Sequence, residues 1–294
     1  MAEGKDETPG EQSPFVSMFN IMINPILRGP AVHCIRSIFS NFFFLQYKAV
    51  LFSGRIPVTW VDHPLDALIP FIPRWVNVYL DFVAFWIRIL GFLLKRYRRR
   101  ALNPVKDFLN SMNRLYGFAA EVYSKNMSTT KRPYYIARPR FFLIHLTDPH
   151  LMCIPSLHVM VMILSYTRFR NTLRSFGDGE VLAAQIDAIN AGAARITEAI
   201  LYVKQHSVNC VAAAMYAMSR FDPARFPPGE AEEFAARLFP ESARGTLPGI
   251  PAEDGAIVRN HIIALYRRFM DESPGPGERW EAPLLRFLRG PERG

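Results

Sequence analysis

The chain has 294 residues, 50% hydrophobic and 13% aromatic, with a formal net charge of +9, which is enough for one large or two modest domains around a substantial core. Its mean hydropathy of +0.04 is below that of a bundle made only of long apolar spans. The basic excess sits in arginine clusters beside apolar segments, as in Lys95-Arg96-Tyr97-Arg98-Arg99-Arg100. That placement reads as a cytoplasmic stop beside anionic lipid, and without a nucleic-acid-binding module it excludes nucleic acid as the expected partner.

Residues 1 to 14 are polar and rich in glycine, proline and acids, so they are expected to be disordered and form no signal peptide. An ordered region is expected from Phe15, with a helix over Ala31 to Phe52. Trp75 to Leu94 has the length of a bilayer span, with Trp75 and Tyr79 at one end and the arginine cluster at the other. Asn77, Asp81 and Arg88 lie inside it. In lipid they must face a bundle interior or each other, and a soluble core helix is the competing reading.

Val105 to Tyr123 has the periodicity of a helix returning to the outer side. His150 to Thr167 carries no acid, lysine or arginine and is followed by Arg168, Arg170 and Arg174, as an apolar segment ending in a positive inner patch would be. Pro155 is placed in the first turn of this helix, where its missing N–H costs nothing. Glu180 to Val203 repeats Leu182, Ile186, Ile189, Ala193, Ile196, Ile200 and Val203 in alternating steps of four and three, the stripe of a helix packed along one seam. His206 is expected to continue that helix, with position 210 one turn further on.

Beyond Arg220 the composition shifts to Pro, Gly, Glu and Arg. Helices are expected at Gly229 to Leu238, Ala256 to Met270 and Trp280 to Leu288. Residues 221–294 thus read as a soluble helical tail after a main unit of residues 15–220. His261 is read as a packing or surface residue. The cysteines Cys34, Cys153 and Cys210 are too few and too scattered to suggest a disulfide framework or zinc site. They are read as buried thiols acting as small hydrophobes, with a Cys153–Cys210 bridge left open.

The stretch that organises these elements is Lys131 to His158 together with Lys204-Gln205-His206. Lys131 precedes Arg138-Pro139 in the spacing KxxxxxxRP, Pro155-Ser156-Leu157-His158 follows, and His206 comes later. Lys125 with Arg132-Pro133 satisfies the first spacing equally well. Two cations, a hydroxyl and two imidazoles are what phosphoryl transfer through a histidine nucleophile requires.

These motifs resemble the type-2 phosphatidic acid phosphatase and haloperoxidase superfamily over roughly residues 57 to 220. Lys204-Gln205-His206 and Asp148-Pro149 are similar to the branch that includes sphingolipid-type lipid phosphotransferases. The third motif departs from the pattern: Cys210 stands where the family has Asp, and Ile200 where it has Arg. The resemblance implies an all-α, multi-pass membrane bundle in a plasma or inner membrane, with its site on the non-cytoplasmic face.

It also implies hydrolysis of a phosphomonoester or diphosphate of a lipid, either a phospholipid or a prenyl diphosphate. His206 would be the nucleophile and His158 the general acid. Lys131, Arg138, Ser156 and Lys204 would hold phosphate oxygens. The family's Asp orients the nucleophilic ring, and Asn209 or Cys210 would have to replace it. No metal or cofactor is implied, vanadate occupying the phosphate position in the haloperoxidase variant. Head-group transfer to a lipid alcohol, or a catalytically silent lipid-binding scaffold, are the alternatives.

Overall fold

The computed structural model describes residues 8–52, 56–135, 137–240, 248–272 and 278–290. The first seven residues lie outside that set. From Thr8 the acidic stretch expected to be disordered forms a capped turn, with the Thr8 N–H donating to Glu11 Oε2 at 2.9 Å and Pro9 buried. Ser13 then caps helix α1 (Pro14–Ile23), whose first position is a proline. Helix α2 (Arg28–Ile38) passes through a π-helical stretch, Phe39–Phe44, into α3 (Leu45–Leu51) without a break, close to the helix expected over Ala31 to Phe52.

Strand β1 (Val58–Trp60) leads to α4 (Val76–Leu80), α5 (Phe82–Tyr97) and α6 (Leu102–Tyr123), and strand β2 (Met127–Thr129) follows. The strands pair in parallel with Val58 opposite Met127. α1 lies against α5 at Gly91, where a Cβ would stand 1.9 Å from Ser17 Oγ, so only glycine allows this approach. Pro73–Tyr123 contains an 18-residue window of mean hydropathy 1.6 and alone among the described helical stretches is long and apolar enough to cross a membrane; 56% of that window is buried inside the protein. Of the polar residues expected inside the span, Arg88 pairs with Asp81, and Asn77 accepts from Arg140.

After α7 (Pro139–Thr147) come α8 (Leu157–Ser175), α9 (Ala183–Tyr202) and α10 (Val208–Phe221). Helix α8, expected as a further span, is enclosed by protein, with Val159 to Leu164 fully buried, and is not among the stretches long and apolar enough to cross a membrane. Arg168 and Arg170, expected to form a positive inner patch, are neutralised by Asp222 at 3.1 Å and Glu230 at 2.8 Å. Multiple crossings therefore find no support, while the all-α architecture stands. The α9 stripe is buried at every position from Leu182 to Val203, because its four-three spacing keeps one face toward α8.

The C-terminal segment differs most from expectation. Helices α11 (Pro228–Ala236), α12 (Ala252–Asp271) and α13 (Ala282–Arg289) share one continuous apolar core with the rest of the chain. Phe234, Val258, Ile262, Tyr266, Phe269 and Leu288 are buried. Tyr216 Oη donates to the Trp280 carbonyl at 2.7 Å, and Thr59 Oγ1 to that of Leu288 at 3.1 Å. The polar residues of the segment occupy its outer face, which is why composition alone reads it as a tail. Each aromatic or aliphatic side chain it buries contributes about 1.5–3 kcal/mol.

Candidate active site

Ser128, in β2, holds the loop that leads into α8. Its N–H donates to the Leu151 carbonyl at 3.0 Å, its carbonyl accepts from Cys153 N–H at 3.2 Å, and its hydroxyl accepts from Ile154 N–H at 2.7 Å. Pro155 follows a cis peptide bond and precedes the helix rather than standing in its first turn, because α8 begins at Leu157 with Ser156 as N-cap. The Ser156 hydroxyl does not cap the helix. It lies 3.3 Å from His206 Nε2, which is also 3.3 Å from His158 Nδ1.

His206 does not continue α9. The helix ends at Tyr202, and Lys204 takes a left-handed conformation, φ 54°. Lys204 N–H then returns to the Leu201 carbonyl and Gln205 N–H to that of Ile200, a Schellman ending with lysine where glycine is usual. This turn swings His206 toward α8. It also fixes Lys204, whose ammonium donates to the carbonyls of Asp66 and Ile69. Lys204 is therefore a structural clamp rather than a phosphate cation.

Of the other expected residues, Lys131 is exposed and is held through its backbone N–H, which donates to Asp62 Oδ1 at 2.9 Å. Arg138 is the N-cap of α7 in the extended conformation that a following proline favours. Neither has a hydrogen bond or ion pair that brings it to the histidines among the described residues. In the other register, Lys125 pairs with Glu281. Its partner Arg132 does reach the site region: it donates to Gln205 Oε1 at 3.2 Å and to the Asp148 carbonyl at 3.1 Å. Asn209 turns away from His206, donating to the Val61 carbonyl at 3.3 Å and meeting His261 Nε2 at 2.9 Å. It does not orient the His206 ring.

Cys210 does face His206. Cys153, His206 and Cys210 are buried with their ligand atoms all within 4.8 Å of one another, which corrects the reading of the cysteines as scattered. Of the two His206 ring nitrogens, Nδ1 is buried without a hydrogen-bond partner. His150, with φ 60°, completes the group: its Nε2 lies 2.9 Å from Thr130 Oγ1 and 3.6 Å from Cys153 Sγ. No sequence signal singled out His150 or Thr130, whereas Arg132 was visible as the competing register.

Burial, with His206 alongside, pushes His158 down to about 3, so its free ring is neutral at physiological pH. Burial would raise Cys153, but bonding from Cys210 and the nearby His150 and His206 rings overturn that and hold it well below the usual thiol range. Burial and the neighbouring sulfur push Cys210 well above that range. Phe42 and Gln46 close over the two histidines and leave a cavity of about 10 Å³, room for roughly one water. Gln46 is held there by the Leu151 N–H, which donates to its Oε1 at 3.0 Å. No family model, curated protein or solved structure matches the chain.

Proposed function

We propose that the chain is a phosphoester hydrolase acting on a lipid phosphomonoester or diphosphate through a phosphohistidine on His206. The observation that carries this reading is the junction at His206 Nε2, equidistant at 3.3 Å from Ser156 Oγ and His158 Nδ1, at the N-terminus of α8. His206 Nε2 bonds to phosphorus as the leaving oxygen departs with a proton from His158; His158 then takes a proton from the water that releases phosphate. A phosphate dianion beside His158 favours its protonated form, offsetting burial. Ser156, the first N–H groups of α8 and Arg132 supply the oxygen-binding donors. Substrate enters only when Phe42 and Gln46 move aside.

Apolar exposure in the stretch that carries Phe42 and Gln46, and on α7, supports a lipid substrate. Phe44 is 67% exposed and Leu51 77%, and Leu146 at the end of α7 is 66% exposed. Exposed large apolar side chains beside a site suit an apolar ligand. Together with one crossing-length stretch they support a reading in which the chain works at a membrane surface.

The test is phosphate release from short-chain phosphatidate and prenyl diphosphates by chelator-treated protein, with alkaline quenching to preserve the acid-labile phosphohistidine on His206. Release and trapping are expected, and both vanish in His206→Ala. His158→Ala is expected to lower turnover by about 10²–10⁴ for an alkyl leaving group and far less for nitrophenolate, which departs without a proton. Equal losses on both substrates would reduce His158 to a packing residue. A second reading, a silent lipid-surface scaffold, is favoured by one observation, the missing acceptor at His206 Nδ1. Failure to trap phosphate from any of these substrates would select it.

A further inference from the structure

The Cys153, His206 and Cys210 cluster has a property the phosphatase reading does not use. Two sulfurs and an imidazole nitrogen, each buried, converge within 4.8 Å of one another. A tetrahedral zinc with Zn–S of about 2.3 Å and Zn–N of about 2.0–2.1 Å draws such atoms to within about 3.5–3.8 Å. The observed spread is therefore within side-chain adjustment of ligation. The third cysteine, Cys34, is buried in α2 and stands outside the cluster.

The nitrogens of His206 divide the work in the way a ligand histidine requires. Nε2 faces Ser156 and His158, while Nδ1 is buried and unpartnered. Metal-ligating histidines ligate through one nitrogen and donate the other N–H to a neighbouring acceptor. Ser156 Oγ and His158 Nδ1 are both placed to accept from Nε2. His150 Nε2, 3.6 Å from Cys153 Sγ, stands beside the cluster as a fourth donor. A divalent cation joined to two thiolates and neutral imidazoles has no net charge, which lets it stay buried without a counter-ion.

We propose that Cys153, Cys210 and His206, through Nδ1, bind a single thiophilic divalent cation of the zinc type, with His150 as fourth ligand. Binding displaces one proton from each thiol, and no redox step is involved. Soft sulfur donors select zinc over magnesium or calcium, which take oxygen ligands. The proposal is independent of the phosphatase reading, since it needs only the donor geometry. Ligation also fixes a proton on His206 Nε2, so zinc-loaded protein is expected to be silent in phosphate release and chelated protein competent.

The full chain, reduced and stripped with chelator, is titrated with Zn²⁺ against a chromophoric competitor and separately with Co²⁺. One zinc per chain is expected, and cobalt should give thiolate-to-metal charge-transfer absorption with tetrahedral visible bands. Cys153→Ser and Cys210→Ser should each weaken binding by more than about 100-fold, the upper end of what loss of an outer partner alone costs. Cys34→Ser should leave it unchanged. The cobalt spectrum of the unmutated chain needs no variant to fold. Absence of thiolate charge transfer in that spectrum, or equal zinc affinity in a Cys153→Ser/Cys210→Ser double variant of unchanged circular dichroism, overturns the proposal.

Discussion

Two histidine pairs border the first turn of α10, and they differ in how far their polar atoms are satisfied. His63 and His261 stack with ring centres 4.0 Å apart; His63 Nδ1 accepts from the Leu65 N–H, and His261 Nε2 meets Asn209 Oδ1. His158 and His206 meet edge-on, ring centres 5.4 Å apart, and His206 Nδ1 is left buried without a partner. Asn209 and Cys210 are consecutive, yet one serves the first pair and the other faces the second. A buried polar atom without a partner costs about 1–3 kcal/mol. Folded chains rarely keep one without a use for it. In the function proposed above the satisfied pair is scaffold, and the unsatisfied one is what remains to bind a proton, a phosphoryl group or a metal.

The strongest way to sharpen this contrast is to give His206 Nδ1 an acceptor. In chelated protein, Cys210→Asp supplies a charge-assisted hydrogen bond of roughly 1.5–3 kcal/mol to the cation that forms as the ring bonds to phosphorus. Since about 1.4 kcal/mol is tenfold in rate, phosphate release should rise about ten- to a hundredfold. No rise, with the circular dichroism unchanged, would mean that the orphaned nitrogen is not what limits this site.

Asp66 ties the two clusters together. Its carboxylate accepts the N–H of His63 at 2.8 Å and of Val208 at 2.9 Å. Asp66→Ala should lower the unfolding free energy by about 1–3 kcal/mol, read as a fall in urea midpoint at constant slope. An unchanged midpoint would break the claim that this carboxylate sets the start of α10.

Asn209→Ala should separate the pairs. A loss of about 1 kcal/mol in stability with phosphate release unchanged is expected, because its amide serves Val61 and His261. A drop in activity without a drop in stability would return Asn209 to the catalytic cluster.

The smallest effect is on pH dependence. Burial, and then His63, push His261 down to about 4, whereas an unfolded histidine titrates near 6.5. Between those values the unfolded chain binds more protons, so stability falls as pH drops from about 6.5 toward 4. The ring is partly exposed, which keeps the slope shallow. His261→Gln should flatten the decline in melting temperature over that window, and an identical decline would assign it to other groups.

Much of this was legible in the sequence, and what was hidden has identifiable causes. The α9 seam was readable because its steps of four and three leave one face apolar, and the pairing of Asp81 with Arg88 followed from the cost of leaving either charge alone. The turn at Lys204 was hidden because Lys-Gln-His contains neither glycine nor proline. The left-handed residue there is a lysine secured by two carbonyls that come from the segment around Asp66. The meeting of Cys153 with Cys210 is produced by that turn and by the loop pinned at Ser128, so no local spacing announces it. The integration of α12 was obscured by charged residues on its outer face, although Val258, Ile262, Leu265 and Phe269 carry a helical stripe.

The chain has four tryptophans, and one of them is a ready-made optical reporter. Trp280 lies flat on Phe118, ring centres 3.7 Å apart and planes 11° from parallel, with its indole N–H donating to Glu121 Oε2 at 2.8 Å. Trp75 and Trp86 are buried elsewhere, and Trp60 is largely open to solvent. Lifting α13 from α6 would expose the Trp280 indole to water and shift its emission to the red while Tyr202 of α9 still stacks on Trp75 and Phe108 of α6 on Trp86. Fluorescence in denaturant, with Trp280→Phe as the blank, can thus tell whether the C-terminal helices peel away before the bundle opens or leave together with it.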